Sequence, residues 1–173
     1  MSDIFQWIIN STPIIKIRRN HGLEHATLQI LSRKYPERPM AGYSDMHGFR
    51  IIGNISQNEL ANAVEEALQR LRSGEFYLAI HPHCGTNFVT SGLLTGLSGA
   101  LMMIGSGPRW HDKINRIGMA AIAGIAVLII SQPLGPLFQS KITTCSNPGS
   151  MRITGIQTTQ HKDFSISRIF TKS

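Results

Sequence analysis

Two short stretches of this 173-residue chain carry side chains suited to metal chemistry. The first is His21-Gly22-Leu23-Glu24-His25. On a helix, positions i and i+4 lie one above the other, and i+3 lies beside them. His21 and His25 can therefore reach one ion from one face, with Glu24 adjacent. Neutral imidazoles hold zinc at about 2.0–2.1 Å, an open position holds water, and a carboxylate takes its proton. Glu24 is then the general base. Gly22 sits inside the motif at a helix cost of about 0.8–1.0 kcal/mol against Ala. The competing reading is a helix that uses its histidines for packing or hydrogen bonding.

The second stretch is His81-Pro82-His83-Cys84-Gly85-Thr86-Asn87. His and Cys are the preferred zinc donors, and His81-x-x-Cys84 is a chelating step on a turn. Pro82 and Gly85 bend the backbone so that both side chains can point one way. Two donor clusters in one small domain favour a shared metal, zinc or another divalent ion. Cys84 could instead be a nucleophile with His81 or His83 as base, but no third orienting residue is identifiable. Thr86 and Asn87 read as helix caps. His47, His111 and His161 read as surface histidines, and Cys145 as an unpaired thiol.

His21-Gly-Leu-Glu-His25 followed by His81-Pro-x-Cys84-Gly-Thr resembles a family of bacterial integral membrane proteins described as predicted metal-dependent enzymes. Its H-x-x-E-H order is also that of the inverzincin motif. The fuller pattern, HGLEHA with AIHPxCGTN and then a membrane hairpin, is closer to a domain of unknown function. That domain occurs mainly in photosynthetic and related bacteria. The resemblance covers about residues 18–138. It implies that His21, Glu24, His25, His81 and Cys84 form one site, with His83 at the variable position. The 55 residues between His25 and His81 exceed the spacing expected of the first family. The inserted segment implies a different substrate, or none.

The elements that must position these residues divide the chain in three. Hydrophobic residues make up 42% and charged ones only 16%, below the roughly 25% charge of an ordinary soluble domain. Residues 1–87 hold most of the charge and read as a small α+β domain at a membrane surface. Residues 56–72 form a helix: Ser56-x-x-Glu59 is a capping box, Leu60, Val64, Leu68 and Leu71 make one stripe, and Gly74 stops it. Residues 20–34 form another, ended by Tyr35-Pro36. Residues 49–55 alternate like a strand, and the apolar run 76–80 suits a second. Residues 4–15 are apolar but too short to span a bilayer, and Trp7 suits an interfacial segment.

Residues 88–107 and 117–138 are uncharged. Each is long enough as a helix to cross about 30 Å of hydrocarbon. With the polar link between them they read as a transmembrane hairpin over 88–138. Small residues at four-residue spacing (Gly92, Gly96, Ala100; Ala120, Gly124) suit close helix packing. Residues 139–173 form a polar, basic tail, read as two weak strands or as partly disordered.

The net charge is +7. No basic run or interleaved aromatics mark a nucleic-acid footprint, so the excess is assigned to anionic headgroups of a lipid bilayer. A bacterial plasma membrane or thylakoid location follows. Both termini are placed on the cytoplasmic or stromal side, because no signal peptide is present. Two functions compete. One is a zinc hydrolase acting on an interfacial lipid or peptide, with Glu24 as base. The other is an accessory subunit or assembly factor of a larger membrane complex, such as a photosynthetic one, with a closed structural metal site. Histidines ligating a haem or chlorophyll are a third idea.

Overall fold

The computed structural model describes residues 3–173 and divides into two compact units. One comprises the residues up to His81 together with Ser140–Ser173, and the other comprises Pro82–Gln139.

The first unit is α+β. It opens with α1 (Asp3–Ile9) and α2 (Thr12–Lys34). The break between them falls at Asn10-Ser11, where Ser11 is extended and Pro13 opens the second helix. α2 therefore starts well before the expected residue 20. It ends before Pro36, as the sequence requires. The hairpin β1 (Met40–Asp45) and β2 (Gly48–Gly53) follows, then α3 (Gln57–Arg72). The segment expected as a strand at 76–80 is instead a 3-10 turn, Phe76–Ala79. Gln29 of α2 donates its amide to the Leu78 and Ile80 carbonyls at 2.9 and 2.7 Å, taking up groups a ladder would use.

The tail supplies β3 (Arg152–Gln160) and β4 (Ser165–Lys172), and both join the sheet. The order is β1-β2-β4-β3, antiparallel throughout. β4 pairs along the whole of β2, with Phe49 opposite Ile169 and Ile51 opposite Ser167. α2 packs on β1 and β2, and α3 packs on α2 and β3. Leu23 and Leu31 of α2, Leu60, Val64 and Leu71 of α3, and Phe49 and Ile169 of the sheet fill the space between. Each of these is essentially inaccessible to solvent.

The start of α3 follows the sequence closely. Ser56 Oγ accepts from the Glu59 backbone N–H, and the Glu59 carboxylate accepts from Ser56 N–H at 2.8 Å. The Ser56 hydroxyl, which donates to the same carboxylate at 2.7 Å, and then the Ser56 N–H draw the Glu59 pKa down to about 2. A carboxyl whose pKa falls on folding stabilises the fold above its unfolded value, near 4.5, and loses that contribution as pH falls toward 2. Ser56→Ala is expected to lower unfolding stability by about 1 kcal/mol at neutral pH. Denaturant titrations at neutral and acid pH would check this, with the gap between the two proteins narrowing below pH ~4.

The second unit contains α4 (Gly85–Met103), α5 (Trp110–Ser131) and the short α6 (Leu134–Phe138). Among the described residues, α5 alone is long and apolar enough to cross a membrane. α4 has 19 residues, and its Ser, Thr and Gly content dilutes its hydropathy. α4 buries no residue, and α5 buries only Gly124 and Ser131.

Candidate metal centre

His21 and His25 project from one face of α2, as their spacing requires, with ring centroids 4.2 Å apart. Cys84 caps the N-terminus of α4, three residues past His81. One ligand atom from each of His21, His25 and Cys84 lies within 4.8 Å of the others. Such a group could hold a metal ion. His25 and Cys84 are buried, and His21 is half-buried.

Both imidazoles are oriented by backbone. His25 Nδ1 lies 2.7 Å from the Ala79 carbonyl oxygen, and His21 Nδ1 lies 3.0 Å from that of Thr143. A carbonyl can only accept, so each Nδ1 must carry the proton. The lone pair then resides on Nε2, the state in which a histidine binds metal.

The other residues singled out from sequence are placed as follows. The His81 ring stands beside that of His25, with centroids 5.7 Å apart, and His81 is not part of the His21–His25–Cys84 group. His83 is exposed. Glu24 is 3% exposed. Its carboxylate accepts a short hydrogen bond from Ser44 Oγ of β1. Gly42 of the same strand lies over it: a Cβ there would stand 2.7 Å from Glu24 Cδ. Glu24 is thus seated against β1. His47 is an exposed residue beside Asp45, as expected, and neither cysteine is in a disulfide.

Several contributors carry no metal-binding signature. Gly22 is one. A Cβ there would sit 2.5 Å from the Cys145 carbonyl oxygen, so the glycine lets the chain after α6 cross α2 closely. Asn87 is another. Its Nδ2 donates to the Pro82 carbonyl at 2.7 Å, and its Oδ1 accepts from Gln139, which ties the turn before α4; Thr86 and Asn87 do not cap that helix, because both lie inside it and Cys84 is its N-cap. Asn87 belongs to the HPHCGTN segment, but Gln139 lies 52 residues further along the chain. Ser44 and Gly42 gave no signal.

No solved structure matches this chain. An uncharacterized protein of Picosynechococcus sp. strain PCC 7002 is 35% identical over 144 residues, covering 76% of this chain and 67% of that protein. A family model described as "Domain of unknown function (DUF6391)" matches residues 16–156, which takes in both histidines of α2, the Cys84 turn and the returning segment whose Thr143 carbonyl meets His21. On that match the chain belongs to the DUF6391 family.

Proposed function

We propose that this protein is a membrane-embedded metalloprotein in which His21, His25 and Cys84 hold a zinc ion, and that it hydrolyses an interfacial lipid or peptide. One observation carries the reading. One ligand atom from each of His21, His25 and Cys84 lies within 4.8 Å of the others, and both histidines have Nδ1 hydrogen-bonded to a backbone carbonyl. Two imidazoles and a thiolate are a zinc donor set, and three protein donors are the number that leaves a position open for catalysis. Zinc held there would supply Lewis acidity to a carbonyl or phosphoryl oxygen. The chain's own contribution is to fix the imidazole tautomers and to hold the Glu24 carboxylate at Ser44.

The membrane part of the reading rests on α4 and α5. Only 11% of the apolar window of α5 is buried, unlike the core helix of a soluble protein. Phe88, Val89 and Leu93 of α4 and Ile122, Ile125 and Ile130 of α5 are all exposed. Helices apolar all round are covered by lipid or by other helices. We therefore read 88–138 as a transmembrane hairpin in a bacterial plasma membrane or thylakoid. Both termini lie on the cytoplasmic or stromal side, and the basic tail meets anionic headgroups.

A second reading is favoured by the seat of Glu24 under Gly42. A carboxylate so enclosed orients its neighbours, the metal is then structural, and the protein is an accessory factor of a larger membrane complex. Metal content decides the shared claim. Detergent-purified wild type, never exposed to chelator, is expected to carry about one zinc per chain by mass spectrometry. His25→Ala and Cys84→Ala should lose it, and the exposed His47→Ala should keep it. A metal-free wild type would overturn both readings. X-ray absorption on the loaded protein then separates them: three protein donors support the hydrolase, and a fourth from His81 supports the structural site.

A further inference from the structure

We infer that Arg18 and Gln29 are positioning residues that fix which nitrogen each histidine offers, Arg18 for His21 and Gln29 for His25. Arg18, His21, His25 and Gln29 recur every three or four residues along α2, so they share one face. Each outer residue grips the chain segment that supplies the histidine's carbonyl. Gln29 Nε2 donates to the carbonyls of Leu78 and Ile80, on either side of Ala79. The Ala79 carbonyl between them takes the His25 Nδ1 proton. Arg18 Nη2 donates to the carbonyls of Lys141 and Thr144 at 3.1 and 3.0 Å, on either side of Thr143. The Thr143 carbonyl takes the His21 Nδ1 proton.

Arg18 is only 8% exposed, and its guanidinium donates to three backbone carbonyls. The third of these carbonyls is that of Ile9, at 3.1 Å. A buried cation with such partners is costly as a stabilising device. Its planar fork, however, can hold several acceptors at fixed angles. The Cys145 N–H donates back to the Arg18 carbonyl at 2.9 Å, which closes the clamp. The Gly22 close approach lets the clamped segment lie against α2. Residues 141–145 are thereby held as a strap, and the Thr143 carbonyl on it meets His21 Nδ1.

The inference depends on the metal reading for its purpose but not for its test. Nitrogen-15 spectra of histidine-labelled, metal-free protein in mildly alkaline buffer report each tautomer. Arg18→Lys keeps the charge but cannot reach several carbonyls at once. It is expected to move the His21 signals toward a tautomer mixture and leave those of His25 in place. Gln29→Met, which keeps the length and removes the donor, is expected to do the reverse. On loading, each variant should bind zinc about 10- to 100-fold more weakly in chelator competition. Variants that leave their own histidine unmoved, or that move both rings alike, would overturn the assignment. Should Arg18→Lys fail to fold, the Gln29→Met spectrum alone still decides the principle. A wild type that binds no metal while the tautomer pattern holds would sink the metal reading and leave the clamp standing.

Discussion

A chain ending at residue 150 is expected to lose the folded unit that carries His21, His25 and His81. β4 lies between β2 and β3, so its removal strips β2 of a partner along Gly48–Gly53. It also removes Met151 and Ile169, both at 0% exposure, and uncovers Phe49 opposite Ile169. Deleting one buried aliphatic side chain costs about 2–5 kcal/mol. Small domains hold only about 5–15 kcal/mol in total. The Ser165 hydroxyl, which lies 2.7 and 2.9 Å from the Gly53 and Ile55 carbonyls, would leave those groups bare. Arg72 would lose its 2.7 Å bond to the Met151 carbonyl. Hydrogen exchange on detergent-solubilised proteins reads the outcome: α2 and α3 amides should be protected in the full chain and should exchange rapidly in the truncated one. Retained protection would mean that the tail is an appendage.

That prediction bears on what the sequence could convey. The tail reads as weak because its inward positions on β4 include Ser165 and Ser167, which are buried at 2% exposure. They are satisfied by hydrogen bonds, Ser165 to the Gly53 and Ile55 carbonyls at and just beyond the end of β2, and Ser167 to Thr158 at 2.9 Å. Alternation of apolar and polar residues is therefore absent where a strand is present. β1 is hidden for a related reason. Its Gly42 and Ser44 serve Glu24 rather than a hydrophobic face. The 76–80 run has the right composition for a strand, but the Gln29 amide and the His25 ring, some fifty residues earlier, take up its carbonyls.

α3 lies at the other extreme, because everything that defines it is local. The cap, the stripe of Leu60, Val64, Leu68 and Leu71, and the stop at Gly74 are all within one window. The residues of the candidate group, His21, His25 and Cys84, are legible for the same reason, as side-chain types in two short motifs. Their orienting partners were not. The carbonyls of Ala79 and Thr143 belong to the backbone, and any residue there would present the same oxygen.

Gly42 and Glu24 offer the sharpest test of the site's interior. An alanine at 42 would place its Cβ 2.7 Å from Glu24 Cδ and 2.8 Å from Cγ, inside van der Waals contact with a side chain that is itself enclosed. Gly42→Ala is therefore expected to destabilise by about 1–3 kcal/mol, as overpacking does. It should also displace the carboxylate from Ser44 Oγ. Glu24→Ala removes the obstruction along with the hydrogen bond. In that background the same Gly42→Ala change is expected to cost little, because the new methyl meets the space that the carboxylate left. The coupling between the two changes should reach about 0.5–3 kcal/mol, the range for residues in direct contact. Urea titrations of the four proteins measure it. Equal costs of Gly42→Ala in both backgrounds would show that Glu24 does not occupy this seat in solution. The carboxylate would then be available to the His21–His25–Cys84 group, and the balance would move from the structural site toward the hydrolase.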